Sequence, residues 1–194
     1  MDQFEYVMAL ISVIVGLALT HVLSAFGAAI HRLRGHGPPI KLEPIYLLWM
    51  SWTVLVLASF WWWEFKLQQT EVTWTLSTYF FLIIYSISYF LIAVILVPER
   101  MEGVSDSFVY LMSVRRWFFG LVLANQTIDV YDTSLKGWDW VMQPSYVFQC
   151  LTYLVVCIVG MLVANRRVHL ALAVATVAVQ VTYALIEMNA LGSW

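Results

Sequence analysis

Six stretches of mostly apolar residues occupy nearly the whole chain, separated by short polar segments rich in Pro, Gly and charge. A run of about 20 apolar residues is enough to cross about 30 Å of hydrocarbon. The pattern therefore predicts an all-α, polytopic membrane bundle of six transmembrane helices forming one domain over residues 1–194. The helices are expected at about 4–33, 44–65, 74–97, 108–131, 144–164 and 168–190. Arg34, Gly35, Gly37 and the Pro38-Pro39 pair end the first, Pro44 and Pro144 open the second and fifth as first-turn prolines, and Pro98 stops the third. No soluble domain is left over, so a substrate or partner is met inside the bilayer, at its surfaces, or on another polypeptide.

The fourth segment departs from this pattern. Its uninterrupted apolar part, Trp117 to Tyr131, is about 15 residues long and contains Asn125, Gln126 and Asp129. Without this crossing the bundle has five transmembrane helices. Basic residues favour six, because they collect in short cytoplasmic loops. With six crossings and both termini outside, Arg32, Arg34, Lys41, Arg100, Arg115, Arg116, Arg166 and Arg167 are cytoplasmic, which leaves only Lys66 and Lys136 outside. With five crossings the division worsens to seven against three. In the six-helix arrangement Trp61, Trp62, Trp63, Trp74, Trp138, Trp140 and Trp194 fall at the outer interface, and Trp49, Trp52 and Trp117 toward the inner one. Asp2 and Glu5 precede the first apolar run where a secretory leader carries basic residues, so that run is expected to remain as a helix. The expected location is the bacterial inner (plasma) membrane.

Composition sharpens the class but leaves little polar material for chemistry: 62% of residues are hydrophobic, 11% are charged, and the mean hydropathy is +0.80. The formal charge of -2 matters less than where the charges lie. Cys150 and Cys157 are seven residues apart on one expected helix, hence about 10 Å apart along its axis and too far to bridge. GxSxG, HExxH, CxxC, P-loop and dinucleotide-turn motifs are all missing, so no enzymatic activity, cofactor or metal is expected. His21 and His169 could be imagined as a haem or metal pair, but a lone histidine beside Thr20 and Ser24 is more often hydrogen-bonded within the bundle.

Four groups of residues carry the functional expectations. Ser12, Gly16, Thr20, Ser24 and Ala28 recur every four residues, a ladder of small side chains that lets another backbone approach, either within the subunit or at a subunit interface. Asn125, Asp129 and Asp132 share one face of the fourth segment, with Arg115 near the same face about 21 Å closer to the cytoplasm. That face is expected to line a path. With Glu64 and Glu187 its carboxylates would form an acidic outer mouth that concentrates cations. Trp61, Trp62 and Trp63 offer a surface for an apolar ligand. Together these predict a homo-oligomeric channel or transporter for cations or protons. The alternative is a membrane sensor or accessory subunit that binds a lipid, apolar ligand or partner protein through its Trp-rich outer surface. Membrane lipids, with anionic headgroups at the basic cytoplasmic loops around His31, His36 and Lys41, are the expected partners, and no nucleic acid is.

Overall fold

A computed structural model describes residues 3–68, 70 and 72–187. The expected end of the last segment at 190, and Trp194, lie outside the described residues. The elements are α1 (Gln3–Leu33), α2 (Pro44–Glu64) continued by a 3-10 turn (Phe65–Gln68), α3 (Leu76–Leu96), α4 (Ser107–Lys136), the short α5 (Trp138–Val141), α6 (Pro144–Leu162) and α7 (Arg166–Glu187). All but α5 are long and apolar enough to cross a membrane, and no strand occurs among the described residues. This is the architecture of an integral membrane protein. The fourth segment is one continuous helix of 30 residues, about five residues longer at its C-terminal end than expected. At 1.5 Å per residue it is about 45 Å long.

Neighbours in space follow the order α1, α3, α4, α6, α7, α2 and back to α1, with α2 also reaching α3 and α4. Helix α2 thus sits deepest, and half of its most apolar window is buried. Its Trp49 and Trp52 correct the expectation that they mark an interface. They are 1% and 2% exposed and pack edge-to-face with Phe118 of α4, deep in the core. Helix α6 comes close to α4 at Gly160, where an added β-carbon would lie 2.6 Å from the Phe119 ring. Any larger residue there forces the two helices or the ring apart.

Hydrocarbon offers no water to unpaired backbone groups, so helix ends must be satisfied from within. The end of α3 shows how. Tyr110 donates to the Ile95 carbonyl, Tyr46 to Leu96 and His21 Nε2 to Val97, at 3.1, 3.0 and 2.9 Å. At the same end of the bundle Arg32, 6% exposed, donates to the carbonyls of Pro38, Pro39, Met101 and Val104, joining the α1–α2 and α3–α4 connections. Lys41 repeats the join: its backbone bridges Ser105 and Ser107, and its ammonium contacts Asp106 and Glu43. The Lys41 hydrogen bond holds Asp106 below the ordinary carboxylate range, and Arg166 does the same for Glu43. Arg166 brings α7 to this end, so the end that collects the arginines is a tied platform. The opposite, aromatic end holds Trp63, Trp138 and Trp140.

Candidate functional site

Helix α4 reaches the aromatic end because its polar residues find partners there. Lys136, expected in an outer loop, closes α4 instead, and its Nζ lies 3.0 Å from Glu64 Oε1 and in contact with Asp132 Oδ2. All three side chains are fully buried. One ammonium thus holds two carboxylates, while Glu64 Oε2 and Asp132 Oδ1 have no hydrogen-bond partner among the described residues. Such a cluster costs solvation free energy to assemble, and its integrity depends on every member staying in place.

One turn back along α4, Asp129 has a different environment. Tyr85 of α3 donates to its Oδ1 at 2.5 Å, and Tyr146 of α6 and Gln126 donate to its Oδ2 at 2.7 and 3.1 Å. Among the described residues no Lys, Arg or His forms an ion pair with it. Asp129 faces a cavity of about 50 Å³ open to the centres of water-sized molecules, enclosed by α2, α3, α4, α6 and α7. By the measure of one probe sphere per water that is room for about three to five waters. Among the described residues Asp129 is the only charged one lining it, beside Asn125, Gln126, Gln149, Gln180, Ser59 and eight aromatic side chains. A second hydrogen-bonded chain forms the far wall, in which Trp52 donates to Tyr153, Tyr153 and Gln149 donate to the Gln180 oxygen, and Gln180 donates to Ser59. Asn125 donates to Ser88 at 2.7 Å.

The structure therefore brings Asn125 and Asp129 to the cavity, and Asp132 and Glu64 to the ion cluster beside it. The other two candidates lie elsewhere. Arg115 donates to the Met112 carbonyl toward the basic end. Glu187 accepts from Gln143 and Ser145, both at 2.8 Å, and fastens the end of α7 to the start of α6. The expected joint action of the carboxylates is corrected accordingly: Lys136 occupies Glu64 and Asp132, and Asp129 stands apart. Trp61, Trp62 and Trp63 do not form one surface either. Consecutive helix positions point about 100° apart, so Trp61 is exposed and donates to Ser12, Trp62 is half-buried, and Trp63 lines the cavity. Within α1 the buried seam is Ile11, Val15, Ala18, Val22, Ala25 and Ala29. The small-residue ladder lies beside that seam, with Ser12, Thr20 and Ser24 exposed and Gly16 and Ala28 half-buried.

Lys136, Tyr85, Tyr146, Gln149, Tyr153 and Gln180 are the site residues that sequence reasoning missed. A usable signal existed for Gln149 and Gln180, since an amide inside an apolar run needs a partner within the bundle. Tyrosines gave none, because ten of them are spread through the chain. His21 and His169 do not meet as a pair; each bonds a helix-end carbonyl, Val97 and Val163 respectively. Comparison of the chain with protein-family models, curated proteins and solved structures finds no match.

Proposed function

We propose that the chain is a small carrier or channel for cations or protons, with the cavity around Asp129 as its ion site and the aromatic end facing outward. The single observation behind this is that among the described residues one carboxylate, in no ion pair, is the sole charge lining a polar cavity between the apolar helices. Ionisable groups at such depth are costly and mark ion paths or relays. The orientation follows from the arginine-bearing connections and the positive-inside bias, which suit a cytoplasmic basic end in an inner membrane. The test is proton and cation flux in liposomes containing the purified protein. Asp129→Asn is expected to lower flux about tenfold or more, the scale set by losing one hydrogen-bonded charge. Undiminished flux in a folded Asp129→Asn variant removes the site from the path.

Self-association is part of the same proposal. The ladder on α1 is only partly covered by the chain's own helices, and an added β-carbon at Gly16 meets nothing within 4 Å, so a second backbone can approach. With Cys150 and Cys157 replaced by alanine, Ser24→Cys is expected to form a disulfide-linked dimer in native membranes under mild oxidation. A monomer at every oxidant level counts against this face.

One observation favours the sensor or accessory-subunit reading. Tyr6, Val7, Trp74 and Tyr79 line a groove of about 430 Å³ between the first turns of α1 and α3, suited to an apolar chain. Absence of flux, with a lipid co-purifying in a Tyr79→Ala-sensitive manner, selects this reading.

A further inference from the structure

We infer that the cavity around Asp129 binds an N–H cation of ammonium size, ammonium itself or a primary alkylammonium, in preference to alkali or divalent metal ions. This deepens the proposed function, since it rests on the cavity being the ion site and adds the class of ion.

Charge comes first. Of the sixteen described residues that line the cavity only Asp129 is charged, and the ammonium groups of Lys66 and Lys136 lie against the ring of Trp63 and not in the lining itself. Hydrogen-bond capacity comes second. The side-chain amide nitrogens of Asn125, Gln126 and Gln149 donate to Ser88, to Asp129 and Cys150, and to Gln180. Their amide oxygens, Asn125 Oδ1, Gln126 Oε1 and Gln149 Oε1, accept from no described residue. The lining thus offers three amide oxygens without a described partner beside one carboxylate, acceptors that a group carrying several N–H donors can use.

The remaining wall narrows the class. Half of the sixteen lining residues are aromatic: Trp52, Phe60, Trp63, Tyr85, Tyr89, Tyr146, Tyr153 and Tyr183. Aromatic enclosure favours a weakly hydrated cation, which gains from the ring quadrupole what it loses in water. Divalent ions such as Ca²⁺ take six to eight oxygen ligands. Asp129 is the one carboxylate among the described lining residues, so a divalent ion there would keep one positive charge unneutralised in the bundle. Alkali ions make no directional use of acceptors, whereas N–H donors do. Donor count excludes the fully alkylated end of the series, because a tetramethylated nitrogen has no N–H to give to the amide oxygens of the lining.

The experiment is equilibrium binding of radiolabelled methylammonium to the purified full-length chain in detergent, at fixed pH and constant ionic strength. Saturable binding is expected, with ammonium chloride competing at about tenfold lower concentration than potassium or sodium chloride and tetramethylammonium chloride not competing, a margin equivalent to one hydrogen bond to a charged group. Asp129→Asn and Gln149→Leu are each expected to weaken binding about tenfold, with unchanged thermal midpoints as the folding control. Gln149→Leu keeps the test decisive where Asp129→Asn fails to fold. Potassium competing as well as ammonium, or binding that survives both substitutions, overturns the inference. Asp129-dependent proton flux without methylammonium binding overturns it while leaving the proposed function in place. Methylammonium binding without flux does the reverse.

Discussion

Lys136→Met is expected to destabilise the protein by about 3–5 kcal/mol, the cost of leaving buried charge without its counter-ion. Glu64 and Asp132 are fully buried, each already has one oxygen without a partner, and the substitution leaves two carboxylates together in the bundle. For a chain of this size the loss corresponds to a fall of roughly 6–20 °C in the thermal midpoint, measured by scanning fluorimetry in a mild detergent. The physical cause is separable from simple loss of packing. Removing all three charges together, as Glu64→Gln, Asp132→Asn and Lys136→Met, is expected to recover most of the stability, because a neutral cluster of similar volume carries no desolvation penalty. A triple variant as unstable as Lys136→Met would show that packing, not unpaired charge, sets the cost.

The second large effect is expected at the opposite end of the bundle. Arg32→Met removes donors to four carbonyls on two different connections, at least two of which are buried. Hydrogen bonds to a charged group contribute about 1.5–3 kcal/mol each, and buried carbonyls left without a donor add to the loss, so about 3 kcal/mol or more is expected. Arg32→Lys is expected to recover little of it, because a single ammonium cannot span acceptors that a planar guanidinium reaches along several directions. Hydrogen exchange gives the local readout. The amides of Lys41 and Ser107 bridge the two connections through Ser105 and Lys41 carbonyls, and both should exchange faster in Arg32→Met. Unchanged protection at these two amides would mean that the Lys41 bridge stands without Arg32.

The six crossings were legible in the residue pattern because a membrane span needs only length and apolarity, and both are local properties. Pro44, Pro98 and Pro144 marked boundaries that the structure keeps to within a few residues. The far end of α4 was not legible. Lys136 in its last turn reads as outer loop, and only the presence of Glu64 on α2 makes a buried helix end possible there. Likewise Trp49 and Trp52 read as interfacial until Phe118, Phe119 and Tyr153 supply partners that bury them. In the candidate site, Asn125 and Asp129 were visible as polar residues inside an apolar helix, while the tyrosines and glutamines facing them come from α3, α6 and α7.

The sequence by itself determined the class of solvent, the number of helices and which of their residues are too polar to face lipid, since each follows from transfer free energies summed along short windows. Only the tertiary structure decided which polar groups meet. Whether a carboxylate is neutralised, as at Glu64 and Asp132, or left open to a cavity, as at Asp129, depends on side chains tens of residues away in sequence, and no local pattern encodes that distance.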